Sequence, residues 1–415
     1  MEDIYGVNSK YDLNRSIQSA LTEGKISSDD RDIILAYVTE RDANFGISSA
    51  RKKKLVSTII GWQVLFRTTD ELGNLVRMPI RDLSLFDIHR GLEKLRSGKS
   101  PKGKPYARNT IHDYIVIGKA FWKWLIANNV VNLDLAKISM IKSPTQDTNT
   151  TEAYELLTED EILALINNSR FSRNKAIISL LYESGCRIGE LATLKWRDIV
   201  IDQYGVKVYI TDHKEKGRRY VRCVMSKSYV AQWKDDYRQY GEFGLDSNVF
   251  ISIRMQHPLE YYGYIRILEK AKEDANIEKK ITPHLFRKSR ITHMVAKGFQ
   301  ESVIKRMMWN NLSTKMFDTY VKLSEEDIDT ELLDKAGIVR KDEKADPLKP
   351  IMCPRCGLQN APSAQFCNSC GLQISGDVID QAMEYDQELI MDSLTQLNKK
   401  KAMMKESSNK NQNQL

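Results

Sequence analysis

The stretch from Leu180 to Val200 (LLYESGCRIGELATLKWRDIV) demands a helix that stops and restarts within a few residues. Ile177, Ile178, Leu181 and Tyr182 recur at helical spacing from about Asn174 to Glu183. Ser184-Gly185 then interrupts, and Ile188, Leu191 and Leu194 resume on one face of an Arg187–Leu194 helix. Arg187 therefore stands at a helix start, where backbone N–H groups favour an anion. Glu190, one turn on, can hold its guanidinium in place. A forked cation fixed beside a helix N-terminus suits a phosphate. By itself an Arg–Glu pair at this spacing is more often a surface salt bridge, so the rest of the chain has to decide.

A chain of 415 residues is long enough for two or three domains. Its 41% hydrophobic content supports real cores, and its net charge of +8 fits a polyanionic partner without demanding one. No run approaches the roughly 18–20 apolar residues of a membrane span, and the acidic start MEDIYG is unlike a secretory leader. The expectation is a cytoplasmic, nucleoid-associated protein with no membrane partner.

Residues 1–145 read as a helical, basic module, the first 28 or so carrying no assignable role. Ser28-Asp-Asp-Arg31 suggests a cap for a helix through Ile33, Ile34, Tyr37 and Val38. A second helix from about Ser48 carries Arg51, Lys52, Lys53 and Lys54 on its first turns, against the macrodipole. Lys94 to Arg108 holds six cations and no acid, including Lys99, Lys102, Lys104 and Arg108. Beyond it, Asn109 or Thr110 should cap a helix with Ile111, Ile115, Gly118, Trp122 and Leu125 on one face. A basic loop leading into such a helix suits phosphate contacts that position a duplex without reading it. Ile141 to Thr151 is polar and reads as a linker, and Thr158 with Glu161 forms a capping-box pattern opening the next domain.

In residues 152–340, GVKVYIT (Gly205–Thr211) and RRYVRCV (Arg218–Val224) lean to strand and the turn DHKEKG makes them a hairpin. In ITPHLFR, Pro283 falls in the first turn of a helix that projects His284 and Arg287 from one face and ends at Gly298. His293, further along that helix, reads as packing. The ordered set Arg187, a hairpin lysine, His284-x-x-Arg287 and Tyr320 resembles the tyrosine recombinase (phage integrase) family over roughly Leu157 to Leu323. ARNTIHDYIVIGKAFWKWLIANNVV is similar, more diffusely, to that family's helical core-binding domain. The resemblance implies Lys214 as general acid, with Lys216 as the alternative, and Tyr320 as nucleophile. Trp309, Asn310 or Asn311 would fill a His/Trp position. Met308 stands where the family has glycine.

The resemblance implies a mainly α chain with a small antiparallel sheet, made of a helical core-binding domain and an α+β catalytic domain; the zinc ribbon read from the cysteines below is a departure from the minimal family pattern. The resemblance also implies a site-specific DNA recombinase, a mobile-element integrase of archaeal type, working on double-stranded DNA without ATP or a catalytic metal. A synaptic tetramer and accessory DNA-bending proteins go with it. The alternatives are a host chromosome-dimer resolvase, a type IB topoisomerase, or a non-catalytic DNA-binding regulator.

Cys353, Cys356, Cys367 and Cys370 form two CxxC pairs with ten residues between them, a spacing that suits one tetrahedral structural Zn²⁺ within residues 350–375. Four thiolates leave no open coordination position, and so short a segment needs the metal to fold. Residues 376–415 read as a helix (Asp377–Leu397) followed by a polar, disordered tail.

Overall fold

The computed structural model describes residues 13–99, 103–147, 152–212, 217–317, 321, 328–329, 332–333, 335–337 and 346–374. The chain divides into two compact units, Met1–Thr150 and Thr151–Leu415. It is mostly helical with small antiparallel sheets, as the sequence implied. Among the described residues no helix is long and apolar enough to cross a membrane.

The first unit is built from α1 (Leu13–Thr22), α2 (Ser28–Phe45), α3 (Ser49–Phe66), a two-stranded ribbon of β1 (Thr68–Thr69) and β2 (Leu75–Val76), α4 (Leu85–Ser97), α5 (Arg108–Ala127) and α6 (Leu135–Met140). Its core is aromatic and aliphatic, with Tyr37, Trp62, Phe66, Phe121 and Trp122 at its centre. Trp62 and Trp122 meet edge to face at 5.0 Å, and Trp62 Nε1 donates to Tyr114 O at 2.9 Å. Gly118 lets α5 approach α3 so closely: a Cβ there would lie 2.6 Å from Trp62 Nε1. The α2 cap is Ser27 rather than Ser28, with Asp30 completing a capping box. Helix α5 starts at Arg108 after an Ala107 N-cap that makes no side-chain cap bond. Asn109, expected to cap it, instead exchanges two hydrogen bonds with the Asp147 backbone (2.7 and 2.8 Å). With Arg108 donating to Thr145 O and His112 meeting Pro144 O, these bonds staple the start of the linker along α5.

The second unit holds α7 (Glu159–Asn167), α8 (Ser172–Glu183), α9 (Ile188–Ala192), β3 (Ile199–Asp202), β4 (Gly205–Asp212), β5 (Gly217–Cys223), α10 (Lys227–Tyr237), α11 (Tyr261–Asp274), α12 (Pro283–Ala296), α13 (Glu301–Trp309), β6 (Ile351–Met352) and β7 (Gln359–Asn360). The hairpin lies where the strand propensities put it, but β3 adds a third strand, in the order β3-β4-β5. Pairing of Val206 with Cys223 and of Ile210 with Arg219 sets the β4–β5 register. Helix α9 covers only five residues, shorter than the periodicity to Leu194 suggested. Thr193 caps it, and Leu194 and Lys195 leave the helix to pair with Val249 and Asn248.

Candidate active site

Helix α8 ends at Ser184 and the chain reverses at Gly185, whose φ of +56° is left-handed. A Cβ at Gly185 would also sit 2.6 Å from Met308 Sδ, so the turn requires glycine twice over. Arg187 follows as the N-cap of α9. Its backbone N–H donates to Glu190 Oε2 at 2.6 Å and its guanidinium to Glu190 Oε1 at 2.9 Å. The Arg187 side chain stays 46% exposed while Glu190 is buried, so the pair presents a cation outward from a fixed base.

Thr282 caps α12 with Pro283 in its first turn. Arg287, one turn along, is 1% exposed: Nη1 donates to Gly185 O at 2.6 Å and Nη2 to Met308 O at 2.8 Å. Its guanidinium carbon lies 5.0 Å from the Trp309 ring centre, a cation–π contact. Trp309 is buried and ends α13, and Asn310 closes that helix in a left-handed conformation (φ +54°). The structure thus puts Trp309, not Asn310 or Asn311, against Arg287.

His284 is exposed at the start of α12, yet its imidazole is held down at about 4. Desolvation of the ring contributes most, followed by the charges of Lys288, Arg287 and Arg187. Arg287 Nη1 reaches the Gly185 carbonyl two residues before Arg187, so the start of α12 lies beside the start of α9 although the two are far apart in the chain. A neutral imidazole offers one donor and one acceptor at physiological pH. Burial alone would raise the Glu190 carboxyl. The Arg219 guanidinium, then the backbone and side chain of Arg187, overcome this and hold it at about 2.

Lys214, with its alternative Lys216, and Tyr320 lie outside the described residues, as do Lys102, the Asp377–Leu397 helix and the tail. Of the basic residues proposed for DNA, Lys52 pairs with Asp42 and Lys54 with Asp113, which supplies the counter-charge that a cationic helix start needs. Arg51 and Lys53 stand on the same turns, Lys99 and Lys104 flank the irregular loop, and Arg108 is bonded to the linker.

Sequence reasoning used Arg219 only as a landmark, yet it is 4% exposed and bonded to Glu190. Strand parity could have exposed it, because Arg219, Val221 and Cys223 share the inward face of β5. It also passed over Glu183, whose carboxylate accepts from the N–H groups of Val224, Met225 and Ser226 and from Ser226 Oγ, at 2.6–3.0 Å.

The four cysteines come together, with all Sγ atoms within 4.8 Å of one another and two pairs at 3.5 Å. Zn–S bonds of about 2.3 Å in a tetrahedron require sulfur separations of about 3.8 Å, so the donor set fits a zinc-sized ion. Both CxxC turns share one hydrogen-bond pattern. Cys353 N donates to Leu358 O and Gly357 N to Cys353 O, while Cys367 N donates to Leu372 O and Gly371 N to Cys367 O. Both glycines sit at φ +70°. This module rests on the rest of its unit: Gln359 Nε2 donates to Val224 O (2.8 Å), Ser228 Oγ to Gln359 O (3.3 Å), and Lys297 pairs with Asp346 (2.7 Å).

Residues 155–326 match the phage integrase family. Tyrosine recombinase XerD of Halalkalibacterium halodurans is 30% identical over 175 residues, covering 40% of this chain and 56% of that protein. Transposase A from transposon Tn554 of Staphylococcus aureus is 26% identical over 184 residues, covering 42% of this chain and 50% of that protein. The chain thus spans about half the length of these two curated relatives. A lambda integrase dimer bound to a COC' core site shares the fold, with a TM-score of 0.52 at 16% identity over 70% of this chain and 94% of that one. Residues 155–326 are thus the part of the chain that is similar to phage integrase domains, and it is over this part that the tyrosine recombinase and transposase relatives match.

Proposed function

We propose that this protein is the site-specific recombinase of a mobile element, cutting and rejoining double-stranded DNA through a 3′-phosphotyrosine. The observation that carries the reading is the Arg287–Gly185 bond, which brings the His284–Arg287 turn of α12 beside Arg187 within the matched domain. A phosphodiester resists attack because its oxygens are negative and the alkoxide leaves poorly. The two guanidiniums take up the charge that grows on the nonbridging oxygens. Neutral His284 accepts the proton of Tyr320 or donates a hydrogen bond to the phosphate. Tyr320 Oη attacks phosphorus, the bond to the 5′-oxygen breaks, and Lys214 protonates that oxygen. The covalent link conserves the bond energy, so another 5′-hydroxyl reseals the strand without ATP. Trp309 braces Arg287 from behind. The roles of Lys214 and Tyr320 rest on the ordered motif set.

The Tn554 relative favours an element-borne enzyme over a chromosomal one, and the wording WNNLSTKMFDTY with the terminal cysteines points to an archaeal-type integrase. Residues 1–145 would clamp the duplex with Arg51, Lys53, Lys99, Lys102 and Lys104, and a tetramer would synapse two sites. The cysteine module would hold one structural Zn²⁺, which supplies folding energy and no chemistry.

The test is a trapping assay on nicked duplexes drawn from the DNA flanking the coding sequence. Wild type should yield a denaturation-resistant adduct and Tyr320→Phe none. An adduct that survives Tyr320→Phe would reject this nucleophile, and DNA binding without any adduct would favour the regulator reading.

A further inference from the structure

Two buried arginines cross-brace the same two pieces of chain. Arg287 joins the Gly185 carbonyl, in the turn before α9, to the Met308 carbonyl at the end of α13. Arg219, reaching in from β5, joins α9 to the neighbouring carbonyl: Nη1 and Nη2 fork onto Glu190 Oε1 and Oε2 (2.8 and 2.7 Å), and Nε donates to Met307 O (3.0 Å). Carbonyls in the last turn of a helix lack donors within it, so both arginines satisfy groups that would otherwise be stranded. Arg287 lies one turn along α12 from His284. Arg219 has a side chain only 3% exposed and meets Arg187 through their shared partner Glu190.

We propose that Arg219 is a positioning residue for strand cleavage: it holds Glu190 in the rotamer that clamps Arg187 and locks the end of α13 to α9, registering Arg187 against Arg287. The fork decides how strongly Glu190 grips Arg187. With Arg219 in place, one carboxylate is shared by two guanidiniums, and Arg187 keeps an outward face for phosphate. Without it, the buried carboxylate has Arg187 as its remaining cation and draws it inward. Displacement by about 1 Å is enough to cost about 10²-fold in rate.

This inference rests on the recombinase reading, so the test needs one arm that does not. With nicked duplex at saturation, single-turnover adduct formation should fall about 10²-fold in Arg219→Met, with the Kd for the same duplex unchanged. Arg219→Lys, which keeps the charge but loses the fork, should fall by less. Glu190→Gln should slow wild type yet add little on top of Arg219→Met, because both disable one unit. The second arm uses the full-length protein labelled with ¹⁵N-arginine and no DNA. The Arg187 guanidinium signals should be displaced from the solvent-exposed position in wild type, through the Nη1 bond to Glu190, and displaced further in Arg219→Lys as Glu190 draws the group inward. If wild type forms no adduct, the functional reading fails and the Arg187 signal alone decides the positioning role. An unchanged signal in Arg219→Lys, a wild-type adduct rate in that variant, or additive losses with Glu190→Gln would each overturn it. Should Arg219→Met fail to fold, Arg219→Lys carries both arms.

Discussion

The two units bury charge for different purposes. In the first, the buried acids Asp30 and Asp87 are both third residues of helix capping boxes, with Asp30 alone also reaching a distant segment at Arg77 and Ile80, and the core around them is apolar. In the second, Arg173, Glu183, Glu190, Arg219, Arg287 and Lys288 are buried, and most of them bridge segments distant in sequence. Under the proposed function, the first unit contacts phosphates from outside and needs only stiffness, which apolar packing supplies, while the second has to hold cations in register near one phosphate and needs internal charges that are paired.

Glu183→Ala should give the largest stability loss, about 3–5 kcal/mol, because it strands the N–H groups of Val224, Met225 and Ser226. Urea unfolding monitored in the second unit would measure it, and a loss below about 1 kcal/mol would contradict the contrast drawn here. In the first unit Asp30→Ala should cost less, about 2–3 kcal/mol, since it strands two backbone donors, Ser27 N and Ile80 N, and leaves Arg77 partly in solvent. Under the proposed zinc site, a chelator, or Cys353→Ala, should lower the Tm of the second unit by about 2–4 °C for each kcal/mol of lost docking. The first unit should be untouched, and calorimetry resolving two transitions would show which one moves.

The pH response separates the units further. His284 titrates near 4 when folded and near its ordinary 6.5 when unfolded, so the unfolded chain takes up the proton first. Its contribution to stability is intact above pH 6.5 and is lost as the pH falls toward 4. An NMR titration of the His284 ring in the free protein should find a midpoint near 4, and bound DNA should raise it by adding phosphate charge. A midpoint at the ordinary histidine value would show that the charges of Lys288, Arg287 and Arg187 do not bear on the ring. The smallest effect expected is that of Lys54→Ala, under about 0.5 kcal/mol, because its pair with Asp113 is solvent-exposed.

Local signals were legible wherever one residue answers to its near neighbours. The Thr158 cap, Pro283 in the first turn of α12, the β4–β5 hairpin and the Arg187–Glu190 pair all depend on spacings of a few residues. The Asn109 cap failed because that side chain found a partner 38 residues away. Strand β3 was missed because it is short, and its pairing with β4 was not marked locally.

What the sequence determined by itself was the chemistry on offer: an ordered set of arginines, histidine and tyrosine, and four cysteines whose spacing admits little besides a metal. Helical caps and periodicity placed Arg187, His284 and Arg287 at or near helix starts. Only the tertiary structure decided that Arg287 and Arg219 would spend donors on the Met308 and Met307 carbonyls, that Trp309 would lie against Arg287, and that Glu183 would hold the β5–α10 turn. A buried charge is tolerable only where its partners come to meet it. Those partners arrive from 21 to 102 residues away, so no window of sequence contains the information that places them.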